Sequence, residues 1–321
     1  MKIVVLDGYA LNPGDLSWDV IGGMGEMTVY ERTPADKIIE RCGDAEVVLT
    51  NKVPFSAATL QQLPHLKFIG VMATGYNIID VEAASRQGIV VTNIPAYSTA
   101  SVAQTVFALL MSITNRVEHY TQQITQEGKW TKNPDFCYWD TPLVELDQKR
   151  LGIVGVGGIG SRVAQIALAI GMEVVALTSK TQEALLQGIK KVDEDEFWHS
   201  CDVFTLHCPL TPSTQHLINI TSLSKMKHGA IVINTSRGPV VDEQAVADAL
   251  KSGQLAAFGA DVLSTEPATV DNPLLHAPNI YLTPHIAWAT REARLRLLAI
   301  LEENVRAFIA GHPQNVVSNS L

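Results

Sequence analysis

Cysteine is scarce in this chain of 321 residues, and the four present, Cys42, Cys137, Cys201 and Cys208, form no Cys-x-x-Cys pair. That pattern excludes a disulfide framework and has no zinc spacing, so reduced thiols and no metal site are expected. A positive charge excess is missing too: 24 Lys and Arg against 33 Asp and Glu leave −9. A nucleic-acid binder needs a basic field, so that partner class drops out. An anionic small ligand does not, because backbone N–H groups can hold one locally. No apolar run approaches membrane-spanning length, and the opening Met1-Lys2-Ile3-Val4-Val5-Leu6-Asp7 reads as a strand rather than a secretory leader. Low-complexity tracts are absent, and 46% hydrophobic against 18% charged residues excludes a solvating acidic chain. The expectation is a soluble, cytoplasmic protein, long enough for two domains.

What is present is alternation. Short β-branched runs predict strands at Lys2–Asp7, Met27–Glu31, Val47–Thr50, Phe68–Ala73 and Ile89–Asn93. Helical patterns lie between them around Pro34–Arg41, Ser56–Leu63 and Asp80–Gln87, the last with Asp80 as N-cap and Gly88 as stop. From Ser98 to Arg116 runs one long apolar helix. The aromatic Thr131–Leu146 segment that follows has no period. A second series starts at Leu151. Its strands are predicted at Leu151–Val156, Glu173–Thr178, Val203–Cys208, Ala230–Thr235, Ala257–Asp261 and Ile280–Thr283. Its helices fit Ile159–Ile170, Thr221–Met226 and Asp242–Ser252, and a terminal helix fits Thr290–Ala310, with Leu298, Leu301, Val305 and Ile309 on one face. Apolar strands alternating with amphipathic helices give an α/β fold with parallel sheets covered on both faces.

Gly155-Val156-Gly157-Gly158-Ile159-Gly160 follows a strand and opens a helix, the context that turns a G-x-G-x-x-G pattern into a dinucleotide-binding signal. Gly155 suits the tight turn, Gly157 the approach of a pyrophosphate, and Gly160 close packing of helix on strand. The acidic residue that ordinarily ends the next strand, where it binds a ribose diol, is lacking. Thr178, Ser179 and Lys180 stand there instead. They suit a 2′-phosphate or merely tolerate a diol, so the cofactor is NAD or NADP, with NAD slightly preferred.

Three later strands each end in an ionisable residue: Arg237 in Asn234-Thr235-Ser236-Arg237-Gly238, Glu266 in Ser264-Thr265-Glu266-Pro267, and His285 in Thr283-Pro284-His285. Singly, each is an ordinary surface residue. Jointly, at the carboxyl ends of strands in an open α/β sheet, they form a candidate site.

With these stretches, the chain resembles the D-isomer-specific 2-hydroxyacid dehydrogenase family over essentially its whole length. The resemblance rests on Gly155–Gly160, Thr235–Pro239 with Val241-Asp242, Asp261 with Glu266-Pro267, Pro284-His285, and Ala73-Thr74-Gly75-Tyr76-Asn77-Ile78-Ile79-Asp80. Within the family it is nearest to glycerate dehydrogenases, also called hydroxypyruvate reductases. The resemblance implies that Arg237 holds the substrate carboxylate and carbonyl with its planar fork of donors. Backbone N–H groups near Thr74 and Gly75 bind the same carboxylate, and Lys52 adds charge. His285 passes a proton to or from the substrate oxygen, and Glu266 bonds its other ring nitrogen. Asp261 bonds the nicotinamide carboxamide, Thr235 lines the nicotinamide, and His207-Cys208-Pro209 borders the adenosine–pyrophosphate region. Formate dehydrogenases of the family carry glutamine where this chain has Glu266.

The resemblance also implies a Rossmann dinucleotide domain, 99–287, inserted into a flavodoxin-like substrate domain made of 1–98 and 288–321. The cleft between them closes around both ligands, and the Ser98–Leu146 arm pairs two chains into a homodimer. The implied reaction is reduction of hydroxypyruvate, with glyoxylate as second substrate. Pyruvate or phosphohydroxypyruvate is the alternative within the class. A dinucleotide-sensing corepressor is the alternative outside it; such proteins keep the same three residue types, but this chain lacks their tails.

Overall fold

Two parallel sheets organise the chain in the computed structural model, which describes residues 1–318. The first holds β1 (Lys2–Val5), β2 (Glu26–Val29), β3 (Val47–Thr50), β4 (Phe68–Val71) and β5 (Val90–Thr92) in the order β2-β1-β3-β4-β5, every pair parallel. Between the strands run α1 (Asp19–Gly22), α2 (Ile38–Cys42), α3 (Ala57–Gln61) and α4 (Val81–Arg86). The order 2-1-3-4-5 is that of flavodoxin-like sheets. Asp80 caps α4 by accepting from Ala83 N at 2.9 Å, and Gly88 closes the turn after it at φ +70. The helix read over Pro34–Arg41 starts as a 3-10 turn and becomes α-helical only from Ile38.

The second sheet is entered through α5 (Thr99–Asn115) and α6 (Val117–Thr125). It holds β6 (Arg150–Val154), β7 (Glu173–Leu177), β8 (Ile189–Lys191), β9 (Val203–Leu206), β10 (Ala230–Asn234), β11 (Leu255–Ala260) and β12 (Ile280–Leu282). Helices α7 (Gly158–Ala169), α8 (Glu194–Ser200), α9 (Ile220–Lys225) and α10 (Glu243–Ser252) connect them. The order is β12-β11-β10-β9-β6-β7-β8, all parallel, which contains the Rossmann order and adds a seventh strand. Period-two alternation explains its two cores. Ile231 and Ile233 face α5 and α7, among Leu109, Ile113, Val163 and Ala167; Val232 between them faces Phe204, Val246 and Leu250. Burying each such side chain stabilises by roughly 1.5–3 kcal/mol before entropy is charged.

α11 (Arg291–Ile309) returns to the first sheet. Thr290 caps it, and Leu297, Leu298, Leu301 and Val305 are buried, whereas Ile309, expected on that face, is half exposed. Arg294 forms a two-pronged pair with Asp15 at 2.7 Å, and Arg296 Nε donates to the Tyr97 carbonyl at 2.8 Å. The chain therefore divides into an outer unit, Met1–Ser98 with the residues from Ala289 onward, and an inserted unit, Thr99–Trp288. The sequence boundaries stood at 98/99 and 287/288, and the 288–321 segment runs three residues beyond those described.

Four elements went unread in the sequence. α1 is a single four-residue turn. β8 is an edge strand with one buried residue among three, α8 is only seven residues long, and α6 buries a single Gln123. The aromatic segment after α6 forms no helix or strand. Asp140 ties it back by accepting from Gln123 at 2.7 Å, Lys129 at 2.8 Å and His119 at 2.9 Å, while Phe136 and Trp139 stay 88% and 70% exposed.

Candidate active site

The inserted sheet reverses its winding between β6 and β9, and crevices at such switch points are where open α/β sheets bind ligands. The glycine turn after β6 lies here. Gly155 adopts φ +86, and a Cβ on it would meet the backbone of His207 and Cys208 at 3.0 Å. A Cβ on Gly160 would fall 2.2 Å from the Gly155 carbonyl oxygen. Packing within the protein thus demands both. Gly157 differs: nothing lies within 4 Å of its would-be Cβ, and α7 starts there with no side-chain cap. An open cradle beside the uncapped N–H groups of Gly158, Ile159 and Gly160 fits a pyrophosphate.

The neighbouring strand end supplies neutral groups. His207 Nε2 lies 2.9 Å from Thr205 Oγ1, and burial pushes this imidazole down to about 3. Burial also raises the Cys208 thiol, which keeps it protonated, and Pro209 is exposed. At the end of β7, Lys180 N donates to Thr178 Oγ1 at 3.3 Å, and Ser179 is exposed. Lys191, which the sequence did not single out, reaches this corner from β8 and donates to the Lys180 carbonyl at 2.7 Å.

The three ionisable residues follow three adjacent strands, β10, β11 and β12, and two of them, Arg237 and His285, are placed by a buried polar neighbour. Fully buried Asn234 shapes the turn after β10. Its Oδ1 accepts from Ser236 N at 3.0 Å and Ser236 Oγ at 2.9 Å, and its Nδ2 donates to the Arg237 carbonyl at 2.9 Å. Arg237 itself is exposed, with Nη1 bonded to the Ser236 carbonyl at 2.7 Å. Gly238 lies against the next loop so closely that a Cβ would sit 2.0 Å from the Leu263 carbonyl carbon.

Asp261, 2% exposed, ends β11 and organises the histidine loop. Its carboxylate accepts from Thr283 Oγ1 at 2.6 Å, Ile286 N at 2.8 Å and Ala287 N at 2.9 Å. That uses three of about four acceptor directions and leaves one on Oδ2. His285 takes a left-handed backbone, φ +54, and its N–H donates to the Asp261 carbonyl at 2.8 Å. Such a conformation in a non-glycine residue costs about 1–3 kcal/mol and persists only where surroundings impose it. Nδ1 of His285 lies 2.5 Å from Glu266 Oε2, while Glu266 Oε1 accepts from Leu263 N at 3.1 Å. Both side chains are about a third exposed, so the Nε2 edge is reachable from solvent. The Thr235 hydroxyl is buried without a partner among the described residues, an orphan that suits a carboxamide or ring contact from a bound nicotinamide.

Lys52, Thr74 and Gly75 belong to the outer unit. Asp7 accepts from Asn51 N at 2.8 Å and Lys52 N at 2.6 Å, so the Lys52 loop is fixed at its backbone and the ammonium is left outward. The Thr74 hydroxyl donates to the Ile94 carbonyl at 2.7 Å. The N–H groups of Thr74 and Gly75 have no acceptor among the described residues. The sequence reading gave neither Asn234 nor Asp7 a role; the signal for Asn234 was present, since Asn before Thr-Ser-Arg is turn chemistry.

Residues 107–287 match the family described as D-isomer specific 2-hydroxyacid dehydrogenase, NAD binding domain. The chain is 49% identical to a hydroxypyruvate reductase of Blautia hydrogenotrophica, over 99% of this chain and all of that one. It is 43% identical to a glycerate dehydrogenase of Methylorubrum extorquens, over 98% of both. Among solved structures it is similar to an acyclic imino acid reductase in complex with NADPH and D-Arg, with 31% identity, a TM-score of 0.83, and coverage of 99% of this chain and 100% of that one.

Proposed function

Since the chain belongs to the D-isomer-specific 2-hydroxyacid dehydrogenase family, we propose that it reduces hydroxypyruvate to D-glycerate, with glyoxylate as a second substrate. The protein is an oxidoreductase that moves hydride between a nicotinamide cofactor and a 2-hydroxy acid. Its full-length relatives are named as reductases and dehydrogenases, which favours this reading over a dinucleotide-sensing corepressor. The observation that carries the proposal is the His285–Glu266 pair, with Nδ1 engaged and Nε2 without a partner among the described residues, on the loops after β12 and β11, the latter strand paired with the β10 that precedes Arg237.

Gly157–Gly160, Thr235 and Asp261 are the residues that would hold the dinucleotide; when bound, its nicotinamide supplies or accepts the hydride. The chain's own work is binding and proton transfer. The Arg237 guanidinium, tied at Nη1 to the Ser236 carbonyl, offers its remaining donors to the substrate carboxylate. The Thr74 and Gly75 N–H groups and Lys52 are proposed to add to that hold. His285 Nε2 delivers a proton to the carbonyl oxygen as the carbon takes hydride, and recovers it in the reverse direction. Glu266 fixes the ring tautomer and balances the charge on the imidazolium. Reduction consumes one proton, so acid favours it and alkali favours oxidation.

Both NADH and NADPH are expected to serve. The β7 end carries no carboxylate to repel a 2′-phosphate, and Lys180 and Lys191 stand at that corner. A homodimer through the arm is also proposed, supported by exposed Trp130, Phe136 and Trp139, and light scattering that shows a monomer would reject it. A cytoplasmic location fits the free, mostly buried thiols. The deciding experiment is a spectrophotometric panel of 2-keto acids with each cofactor. Hydroxypyruvate should give the highest kcat/KM; pyruvate or phosphohydroxypyruvate ahead of it would overturn the substrate assignment.

A further inference from the structure

Residues 264–271 carry Glu266, yet every one of them is exposed and none belongs to a helix or strand. Buried residues bracket the segment: Val262 at 4% exposure on one side, Asn272 at 5% on the other. Between them no side chain enters the core, so packing does not decide where Glu266 points. One carboxylate does the joining. Glu243 Oε1 accepts from Ser264 N at 2.7 Å, and its Oε2 accepts from Ser264 Oγ at 2.5 Å and Asn272 Nδ2 at 3.0 Å. Both ends of the segment therefore converge on one side chain, through bonds to an ionised acceptor, which are stronger than neutral ones. Glu243 stands in the first turn of α10, and the residues three, four and seven positions on, Val246, Ala247 and Leu250, lock the same side of the helix into the core.

The link onward is short. Ser264, the residue clamped by Glu243, follows Leu263, whose N–H donates to Glu266 Oε1, and Glu266 Oε2 meets His285 Nδ1. We propose that Glu243 is a positioning residue for the proton-transfer step: it holds the 264–272 segment so that Glu266 meets His285. This deepens the dehydrogenase reading above and rests on it for the kinetic effect. Glu243 touches neither His285 nor Arg237 in the described bonds. Its influence passes through the loop.

The test sets Glu243→Ala and Glu243→Gln in the wild-type chain and in Glu266→Gln. In the wild type, Glu243→Ala should lower kcat for hydroxypyruvate reduction about tenfold or more while KM changes less than about threefold. Glu243→Gln, which keeps one acceptor for Ser264 but points an NH2 group at Asn272, should fall between. In the Glu266→Gln background the same changes should cost less than about twofold, because residues acting as one unit are non-additive. An unchanged kcat, or the same loss in both backgrounds, overturns the proposal. A second readout needs no turnover: the low-field proton NMR resonance of the His285 Nδ1–H, assigned by its loss in His285→Ala, should weaken or shift in Glu243→Ala. If it persists unshifted, the proposal fails. A wild-type chain that reduces no 2-keto acid would sink the functional reading instead, and the resonance would still decide the role of Glu243. If Glu243→Ala fails to fold by circular dichroism, Glu243→Gln carries the same comparisons.

Discussion

The strand ends of the outer and inserted units both use polar side chains to hold backbone, partly buried in the outer unit and fully buried in the inserted one, but they expose different things. In the outer unit, Asp7 holds the backbone of Asn51 and Lys52, and Asn93 Nδ2 donates to the Thr74 carbonyl at 2.8 Å. What these supports leave outward is mainly backbone, the N–H groups of Thr74 and Gly75. In the inserted unit, Asn234 and Asp261 hold backbone too, but they leave Arg237, Glu266 and His285 outward. Backbone donors carry partial charge that no pH change removes, which suits them to gripping a carboxylate. Side chains can move protons. The proposed division of labour, a carboxylate gripped by one unit and a proton moved by the other, rests on this difference.

The largest break in that comparison should come from His285→Ala. If proton transfer belongs to the inserted unit alone, kcat should fall about 10²–10⁴-fold, the usual worth of a positioned general acid, with little change in cofactor binding. Near-normal turnover measured by NADH oxidation would remove His285 from the mechanism. Next is Gly238→Ala, which tests whether the inserted unit's loops are interlocked. The new methyl would lie 2.0 Å from the Leu263 backbone, so the Arg237 and Glu266 loops must part. A loss of at least about 1–3 kcal/mol is expected, read as a lower Tm, together with lost activity. An unaltered Tm would mean that the two loops do not depend on each other.

How much of this was readable from residue order differs between the same two regions. The glycine turn and the three ionisable strand ends stood out because apolar runs mark buried strands and the chemistry follows them directly. Asp80 was legible as a cap for the same local reason. The supports were not. Glu243 in a first helical turn reads as an ordinary partner of the helix dipole, and its bonding partners lie 21 and 29 residues downstream. Asp261 was read only as a ligand contact, since nothing local shows that its carboxylate gathers Thr283, Ile286 and Ala287. The left-handed turn at His285 was equally hidden, because the tertiary bonds that impose it come from another strand. β8 escaped because Ile189 is its one apolar residue, too little for a period.

A smaller effect should mark the outer unit. Thr74→Ala removes the bond to the Ile94 carbonyl, worth about 0.5–1.5 kcal/mol, and loosens the loop that presents the backbone donors. Loss of uniform binding raises KM and spares kcat. A rise in KM for hydroxypyruvate of about tenfold or less, with kcat preserved, is the expected outcome. A fall in kcat comparable to that of His285→Ala would erase the distinction between gripping and proton transfer.

The smallest effect is in stability against pH. His207, held down to about 3 by burial, stays neutral while the unfolded chain takes up a proton below 6.5. Its contribution is thus fully present above pH 6.5 and is lost progressively as pH falls toward 3. The paired carboxylates of the outer unit behave differently. Arg294 holds Asp15, Lys2 holds Asp44 and Lys67 holds Glu46 below their ordinary range, so their contributions persist until pH drops below about 5. Between pH 6.5 and about 5 the cost should fall on the inserted unit. Hydrogen exchange should then show amides of β9 losing protection before those of β3, and His207→Gln should flatten the decline. Equal losses in both sheets, unchanged by the substitution, would mean that His207 does not set the acid limit and that the two units lose stability to acid together.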